Sequence, residues 1–235
     1  MIRFNRAQIG YQQPLLFIDQ LELKSGEIYV LIGANGKGKT TLLKSINGLQ
    51  ALVSGEIELD HRVTSVLNNK DLSNLVAFVS SKFDGIEHLK VYDFIALGRT
   101  PYTNLFGRLS TQDHVQISRA IKTLGIEYLS DKLTTEISDG ERQLCAIARA
   151  LAQETPIITL DEPTAFLDYA NRVKVLSILK SLAMDQQKCI VLSTHDIDIC
   201  LEMNLPILYI DSNSNHLIQT KTATKSLLLQ HCFGM

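Results

Sequence analysis

Apolar residues along this chain follow two different spacings. In the first third they come in short blocks or at alternate positions: IRFNRAQIGY, LLFIDQLEL and IYVLIG read as strands, with a turn at Lys24-Ser25-Gly26 between the last two. A helix is expected from about Thr40 to Leu49, then the strand EIEL after the Ser54-Gly55 turn, then a short β-like run LVAFVS. From Val91 to about Gln153 the spacing turns helical, as in VYDFIALGR and HVQISRAIKTLG. Within it, Leu144, Ile147, Ala148 and Leu151 fall at i, i+3, i+4 and i+7, which predicts a helix with one core-facing side. PIITL, CIVLS and PILYI follow, each too short for a helix and long enough for a buried strand. Helical stretches at Arg172 to Met184 and Ile197 to Met203 separate them. Strands that are apolar on both faces and alternate with helices predict a parallel sheet covered by helices. The expected class is α/β: a mostly parallel core sheet, an antiparallel β part at the N-terminus and an inserted helical lobe. One domain is expected over 1–235, with 1–80 and 155–235 in one lobe and 81–154 in the other.

Bulk composition narrows the functional classes. Hydrophobic residues make up 45% and charged residues 20% of 235, enough for a full core. A net charge of −2 offers no global basic field for nucleic acid or acidic lipid. MIRFNRAQIG lacks the apolar stretch of a signal peptide, and no run approaches the length of a membrane span. Cys145, Cys189, Cys200 and Cys232 lie far apart without a C-x-x-C pair and read as buried, reduced thiols. Membrane business, if any, is expected to come through a partner.

IYVLIG runs directly into GANGKGKTT, which matches G-x-x-x-x-G-K-[ST] from Gly33 to Thr40 in a strand–loop–helix context. Gly33, Gly36 and Gly38 let the backbone N–H groups of Ala34, Asn35, Lys37 and their neighbours, through Thr41, curl around one phosphate chain. Lys39 is expected to reach the β- and γ-phosphates and Thr40 to offer its hydroxyl to Mg²⁺. A Gly-rich turn would account for the glycines but not for Lys39-Thr40. The chain is therefore expected to bind a nucleoside triphosphate.

PIITLDEPTAFLD places Asp161 at the C-terminal end of an apolar strand, where α/β sheets present ligands. Beside the phosphate loop, Asp161 is the expected Mg²⁺ partner, and Glu162 the general base that polarises water. CIVLSTHD ends a neighbouring strand at His195, whose imidazole could donate to the γ-phosphate. ISDGERQ, Ile137 to Gln143, stands at a helix start. Ser138 and Glu141 fit a capping box there, while Gly140 is unfavourable in a first turn and capping gives it no purpose. A hydroxyl and a Gly N–H at a helix N-terminus make a second anion site. It serves the same phosphate only if another subunit supplies it.

Together these motifs resemble the ATPase subunit of an ATP-binding cassette (ABC) transporter, over nearly the whole chain. The phosphate loop at Gly33 to Thr40, the signature at Ile137 to Gln143, Asp161-Glu162, Leu167-Asp168 and His195 occur in that family's order. The resemblance implies a P-loop NTPase core of RecA-like type that binds and hydrolyses ATP with Mg²⁺. It implies that Tyr11 stacks on adenine and that Asp168 lies in a loop at the subunit contact. It also implies two subunits sandwiching two ATP molecules head to tail, with Ser138, Asp139, Gly140 and Glu141 of one meeting the ATP held by the other. The partners implied are a second ATPase subunit, as a homodimer, and integral membrane permease subunits, with no nucleic acid. The implied location is peripheral, on the cytoplasmic face of the membrane.

IALGRTPYTNLFGRLSTQD, Ile95 to Asp113, is similar to the equivalent segment of importers for iron–siderophore complexes, haem and cobalamin. Phe83, Tyr92, Phe94, Tyr102 and Phe106 fall within one short stretch in and before this segment, either as ordinary core or as a groove for a permease helix. Three departures from the family pattern stand out: Asp139 in place of Gly, Glu141 in place of Gln, and Ser80-Ser81 where a Mg²⁺-directed Gln is usual. Ser81 is carried as a candidate Mg²⁺ contact through water, and Asp139 is expected to repel an incoming phosphate. Two other readings stay open. One is a soluble ABC ATPase, although fused cassettes and long coiled-coil insertions are missing; the other is a low-turnover dimerisation module.

Overall fold

The structure is a computed structural model and describes residues 1–104, 106–220 and 222–234. In chain order the first third holds β1 (Ile2–Gly10), β2 (Pro14–Leu23), β3 (Ile28–Ile32), α1 (Lys39–Ile46), β4 (Ser54–Leu59), β5 (Arg62–Val63), α2 (Asn69–Leu75) and β6 (Val76–Val79). Helices α3 (Val91–Ala96), α4 (Thr111–Leu124) and α5 (Asp139–Ala152) follow. The last third holds β7 (Ile157–Leu160), α6 (Tyr169–Asp185), β8 (Cys189–Ser193), α7 (Ile197–Glu202), β9 (Ile207–Ile210), β10 (Leu217–Thr220) and α8 (Lys225–Phe233).

Two sheets result. An antiparallel sheet runs β2-β1-β4-β5, and a core sheet runs β10-β9-β3-β8-β7-β6, in which β10 alone is antiparallel. The core strands are buried on both faces, and alternate residues feed two different cores. Val30 and Ile32 of β3, Ile158 and Leu160 of β7, and Ile190 and Leu192 of β8 face the cluster shared with α3 to α8. Tyr29 and Leu31, Ile157, and Cys189 and Val191 face the cluster shared with α1, α2 and the antiparallel sheet. This two-sided burial is why these strands read as continuous apolar runs. Parallel pairing then puts the C-terminal ends of β3, β8, β7 and β6 along one edge. A polar bridge crosses the second cluster: Asn47, at the end of α1, donates to Thr159 Oγ1 of β7 at 2.5 Å and to Leu43 O at 2.7 Å.

The structure adds elements that the apolar pattern did not predict. Helix α2 is NKDLSNL, short and mostly polar, held by the Asn68 side chain accepting from the Asp71 amide. Helix α8 carries three consecutive leucines, which no helical period explains. The expected single core face of α5 is also corrected. Cys145, Ala146, Ile147, Ala148, Ala150 and Ala152 are all buried, whereas Leu144 and Leu151 are only half-buried. Small residues let α3, α4 and β6 approach α5 from several sides, so the helix is central and buried on more than one face.

The segment Ile95 to Asp113, of which Leu105 lies outside the described residues, is fixed by a buried ion network. Arg99 is 3% exposed and donates to Asp113 Oδ1 at 2.8 Å, to Glu154 Oε2 at 2.7 Å and to Ala152 O at 2.6 Å. Its guanidinium also stacks on Tyr102, 4.1 Å from the ring centre. The five aromatics divide between the two readings. Phe94 is core and stacks on Phe83 at 4.2 Å, whereas Tyr102 is half-exposed and Phe106 is 86% exposed. The four cysteines are free and buried, and burial pushes the thiols of Cys145, Cys189 and Cys200 up to about 12.

Asp113 is held at about 2, against an ordinary 3.8, by the Ser110 hydroxyl and amide and by Arg99. Asp211 is held at about 2 by Ser214 and by His231. A carboxylate depressed by folding contributes stability above its unfolded value and loses it as pH falls through the folded one. Urea unfolding should therefore show stability falling between about pH 4 and pH 2. Asp113→Asn should destabilise the protein at neutral pH by about 3–5 kcal/mol, because Arg99 is left buried and under-paired. It should also flatten part of that acid limb.

Candidate functional site

Loop 33–38 leaves the edge of the core sheet between β3 and α1. Gly36 and Gly38 have φ of 79° and 96°, the left-handed region that side chains disfavour. Gly33 lies against Ile210, so a Cβ there would come within 3.2 Å of that side chain. On the other side Gly38 packs on Leu15 and Leu16 of β2, which brings the antiparallel sheet against the loop. Tyr11 sits on the β1–β2 turn at this border and is 64% exposed.

The side chains expected to act on phosphate gather at the strand ends. Lys39 is buried at the first position of α1 and donates to Gly33 O at 2.7 Å. Burial lowers its pKa, while the carboxylates of Glu162 and Asp161 oppose that. Thr40 Oγ1 donates to Asp161 Oδ2 at 2.8 Å. Across β7, the Asp161 amide donates to Val79 O at 2.8 Å, which aligns the end of β6, and so Ser80 and Ser81, with Asp161 and Glu162. Ser81 makes no side-chain hydrogen bond among the described residues. Glu162 has φ of 48°, a left-handed conformation rare for Glu, and its Oε1 lies 2.9 Å from His195 Nε2. Strained non-glycine backbone of this kind concentrates at functional sites.

Sequence reasoning passed over Ser193, the last residue of β8. Its buried hydroxyl donates to Asp161 Oδ1 at 2.7 Å and accepts from the Glu162 amide at 2.9 Å. A hydroxyl ending the apolar run beside the Asp161 strand was the available signal. Lys37 was counted for its amide alone. Its ammonium reaches Ser212 O at 3.0 Å and Asn215 Oδ1 at 2.8 Å, tying the phosphate loop to the β9–β10 turn. Asp196 accepts from Thr164 at 2.9 Å and from Arg172 at 2.6 Å, linking the segment after Glu162 to the segment after His195.

The signature lies elsewhere. Ser138 caps α5 in a capping box with Glu141, whose carboxylate is held down chiefly by the Ser138 amide. Gly140 has a reason that capping did not supply: a Cβ there would meet Phe166 O at 3.0 Å and Leu167 Cδ2 at 3.2 Å. Asp139, expected to repel an incoming phosphate, pairs with Arg142. Asp168 caps α6 by accepting from the Asn171 amide at 2.8 Å. Ser138, Gly140, Glu141, Phe166, Asp168 and Lys174 line a groove of ≈ 480 Å³, and no residue of 33–41 lines it. The structure thus brings Lys39, Thr40, Asp161, Glu162 and His195 together, while Ser138 to Glu141 line a groove to which none of these five contributes.

Ser193→Ala should destabilise the fold by about 1–3 kcal/mol, since it strips a partner from a buried carboxylate and a backbone amide at once. Urea unfolding at neutral pH measures this.

The pattern of the family described as "ABC transporter" matches residues 18–165. The chain is 31% identical over 191 residues to the iron(3+)-hydroxamate import ATP-binding protein of Bacillus subtilis, covering 81% of this chain and 71% of that one. It is 34% identical over 214 residues to the thiamine import ATP-binding protein of Vibrio vulnificus, covering 91% and 88%. An inward-facing structure assigned to the metal-chelate type of ABC transporter superposes with a TM-score of 0.83 at 28% identity, over 99% of this chain and 88% of the other. A dimeric ATP-binding cassette in a post-hydrolysis state, with ADP and Pi bound, gives 0.82 at 26% identity, over 95% and 100%. With its phosphate loop, acidic strand end and capped signature helix on this fold, the chain belongs to the ABC transporter family as an ATP-binding cassette.

Proposed function

We propose that this chain is the ATP-hydrolysing motor of an importer for iron–siderophore, haem or cobalamin. It works as a pair of cassettes on the cytoplasmic face of a membrane permease. One observation carries the motor reading: the Glu162 carboxylate stands against His195 at the sheet edge beside Lys39 and Thr40, while the signature helix of the same chain opens on a separate groove. One cassette holds the triphosphate and the base, and the phosphate-facing helix start must come from a second. The solute class rests on the Ile95–Asp113 segment and on the printed roles of the hydroxamate-import relative and the metal-chelate type structure.

In this reading the triphosphate lies along the amides of 33–41, with Lys39 moving from Gly33 O to the β- and γ-phosphates. Tyr11, exposed at the border of the two sheets, stacks on adenine. Thr40 and Asp161 present hard oxygen donors 2.8 Å apart, which suits Mg²⁺ arriving with the phosphates. That ion would neutralise charge building on the transferred group. Glu162 takes the proton of the attacking water, and His195 orients Glu162 and reaches the γ-phosphate. Asp168, as cap of α6, sets the loop that faces the second cassette. Residues 1–80 and 155–235 form the catalytic lobe and 81–154 the helical lobe. The groove for a short permease helix was expected of Phe83, Tyr92, Phe94, Tyr102 and Phe106; none of these lines the groove of ≈ 620 Å³ formed by Leu97, Pro101, Thr103, Arg149 and Gln153 among others, which takes that role in this reading.

Sedimentation with nucleotide tests the pairing. Glu162→Gln should bind ATP, form a dimer and lose about 10²–10⁴ of turnover, the usual weight of a general base. Adding Ser138→Arg should leave ATP binding intact and return the protein to monomers. Lys39→Ala should lose about 1.5–3 kcal/mol of ATP affinity, because a charge-assisted contact goes. A dimer indifferent to ATP and to Ser138→Arg would sink this reading. Solute identity is checked by uptake in vesicles holding the permease, with thiamine as the competing cargo.

The Ser81 side chain is two heavy atoms shorter than a glutamine's and makes no hydrogen bond among the described residues. Basal turnover of the free subunit should therefore be low, and Ser81→Gln should raise it; a steady-state phosphate-release assay over a range of Mg²⁺ reads this. Unchanged turnover and unchanged Mg²⁺ dependence would remove Ser81 from the site.

A further inference from the structure

The first turn of α5 carries two acids, Asp139 and Glu141, at the place where a partner's γ-phosphate is to arrive. Glu141 is occupied: its carboxylate accepts from the Ser138 amide and hydroxyl at 2.9 Å each, and from Tyr128 OH at 3.2 Å. Asp139 is different. Its side chain is 62% exposed and is met by Nη2 of Arg142, one turn along the helix. Arg142 is itself only 17% exposed and is aimed by the chain before the helix, donating through Nη1 to Ile137 O at 2.6 Å and toward Thr134 O at 3.4 Å. An exposed pair of this kind adds little to folding. Its electrostatic consequence is larger. A bare carboxylate presents an incoming phosphate with a net negative charge, whereas a contact ion pair presents a dipole whose field fades faster with distance.

We infer that Arg142 is the positioning residue that makes this acidic signature able to receive a phosphate: it holds Asp139 and cancels its charge, so that a second ATP-loaded copy can close on the helix start. The inference rests on the paired-cassette reading above. It also explains why the cap leaves the helix start usable. The capping box consumes the Glu141 amide, at 3.3 Å from Ser138 Oγ, and leaves the Asp139 and Gly140 amides as donors beside a neutralised acid.

The test is a double-mutant cycle on dimer formation with ATP, by sedimentation equilibrium in the Glu162→Gln background. Arg142→Met should raise the dimer Kd at least about 100-fold, about tenfold at each of the two equal sites of a symmetric dimer. In an Asp139→Gly background the same substitution should raise Kd only about tenfold, because no acid is left to cancel and only the attraction of the freed guanidinium is lost. Binding of a fluorescent ATP analogue to dilute monomer should be the same in all four proteins. Equal effects of Arg142→Met in both backgrounds, or none in either, would overturn the inference, leaving Arg142 as a support for the helix start. If Arg142→Met does not fold, Asp139→Asn with Arg142 intact decides: the freed guanidinium should tighten the dimer about tenfold, and an unchanged Kd overturns the inference. A Glu162→Gln protein that stays monomeric with ATP defeats the paired-cassette reading itself and this inference with it.

Discussion

Asp161 is a carboxylate 4% exposed at the end of a strand, and a buried carboxylate must be paired and hydrogen-bonded or be neutralised. Its two oxygens are taken by hydroxyls from two other elements, Thr40 of α1 and Ser193 of β8, and its amide by β6. That requirement locks four pieces of chain into one register. A slip of a single residue in β7 or β8 would turn an apolar side chain to the hydroxyls and bury the charge alone. The same arrangement places the Glu162 amide on Ser193 and thereby aims Glu162 at His195. The placement of Glu162 against His195 is thus a by-product of solving a burial problem.

The loop for phosphate depends on that frame from both sides. Gly33 rests on Ile210, Gly38 rests on β2, and Lys37 ties the middle of the loop to the β9–β10 turn. That turn is gripped in turn by α8, where the Ser212 amide donates to His231 O at 2.7 Å and His231 Nδ1 lies 3.0 Å from Asp211. Three glycines would otherwise leave the loop costly to order around a ligand. Fastening it through Lys37 holds the loop to one conformation.

The helical segments answer to a different constraint. α5 runs through the middle of the first core with small residues on most of its circumference, so its start can protrude while its body stays fixed. Close approach of Phe166 demands Gly140, and Arg99 pins the far side of the segment through Asp113 and Glu154. In the proposed reading, one chain therefore holds a phosphate cradle and a phosphate-facing helix start that open on different grooves. Function is deferred to a pair of such chains.

Much was legible in residue order because it is local. The phosphate loop, the capping box of Ser138 and Glu141, the apolar strands ending in Asp161 and near His195, and the α/β alternation all express short-range spacing. Helices α2 and α8 were hidden because a capping side chain and tertiary contacts, rather than an apolar period, sustain them. The all-round burial of α5 was misread because alanines count weakly in any pattern yet allow the closest packing. Ser193 against Asp161, Lys37 against Asn215, Gly140 against Phe166 and Arg99 against Asp113 join residues from 14 to 178 positions apart. The sequence by itself determined which chemistry the chain carries and in which elements. Which charges are buried, paired or left free to meet a phosphate was decided only by the tertiary structure, because desolvation and pairing depend on neighbours that the chain brings together only on folding.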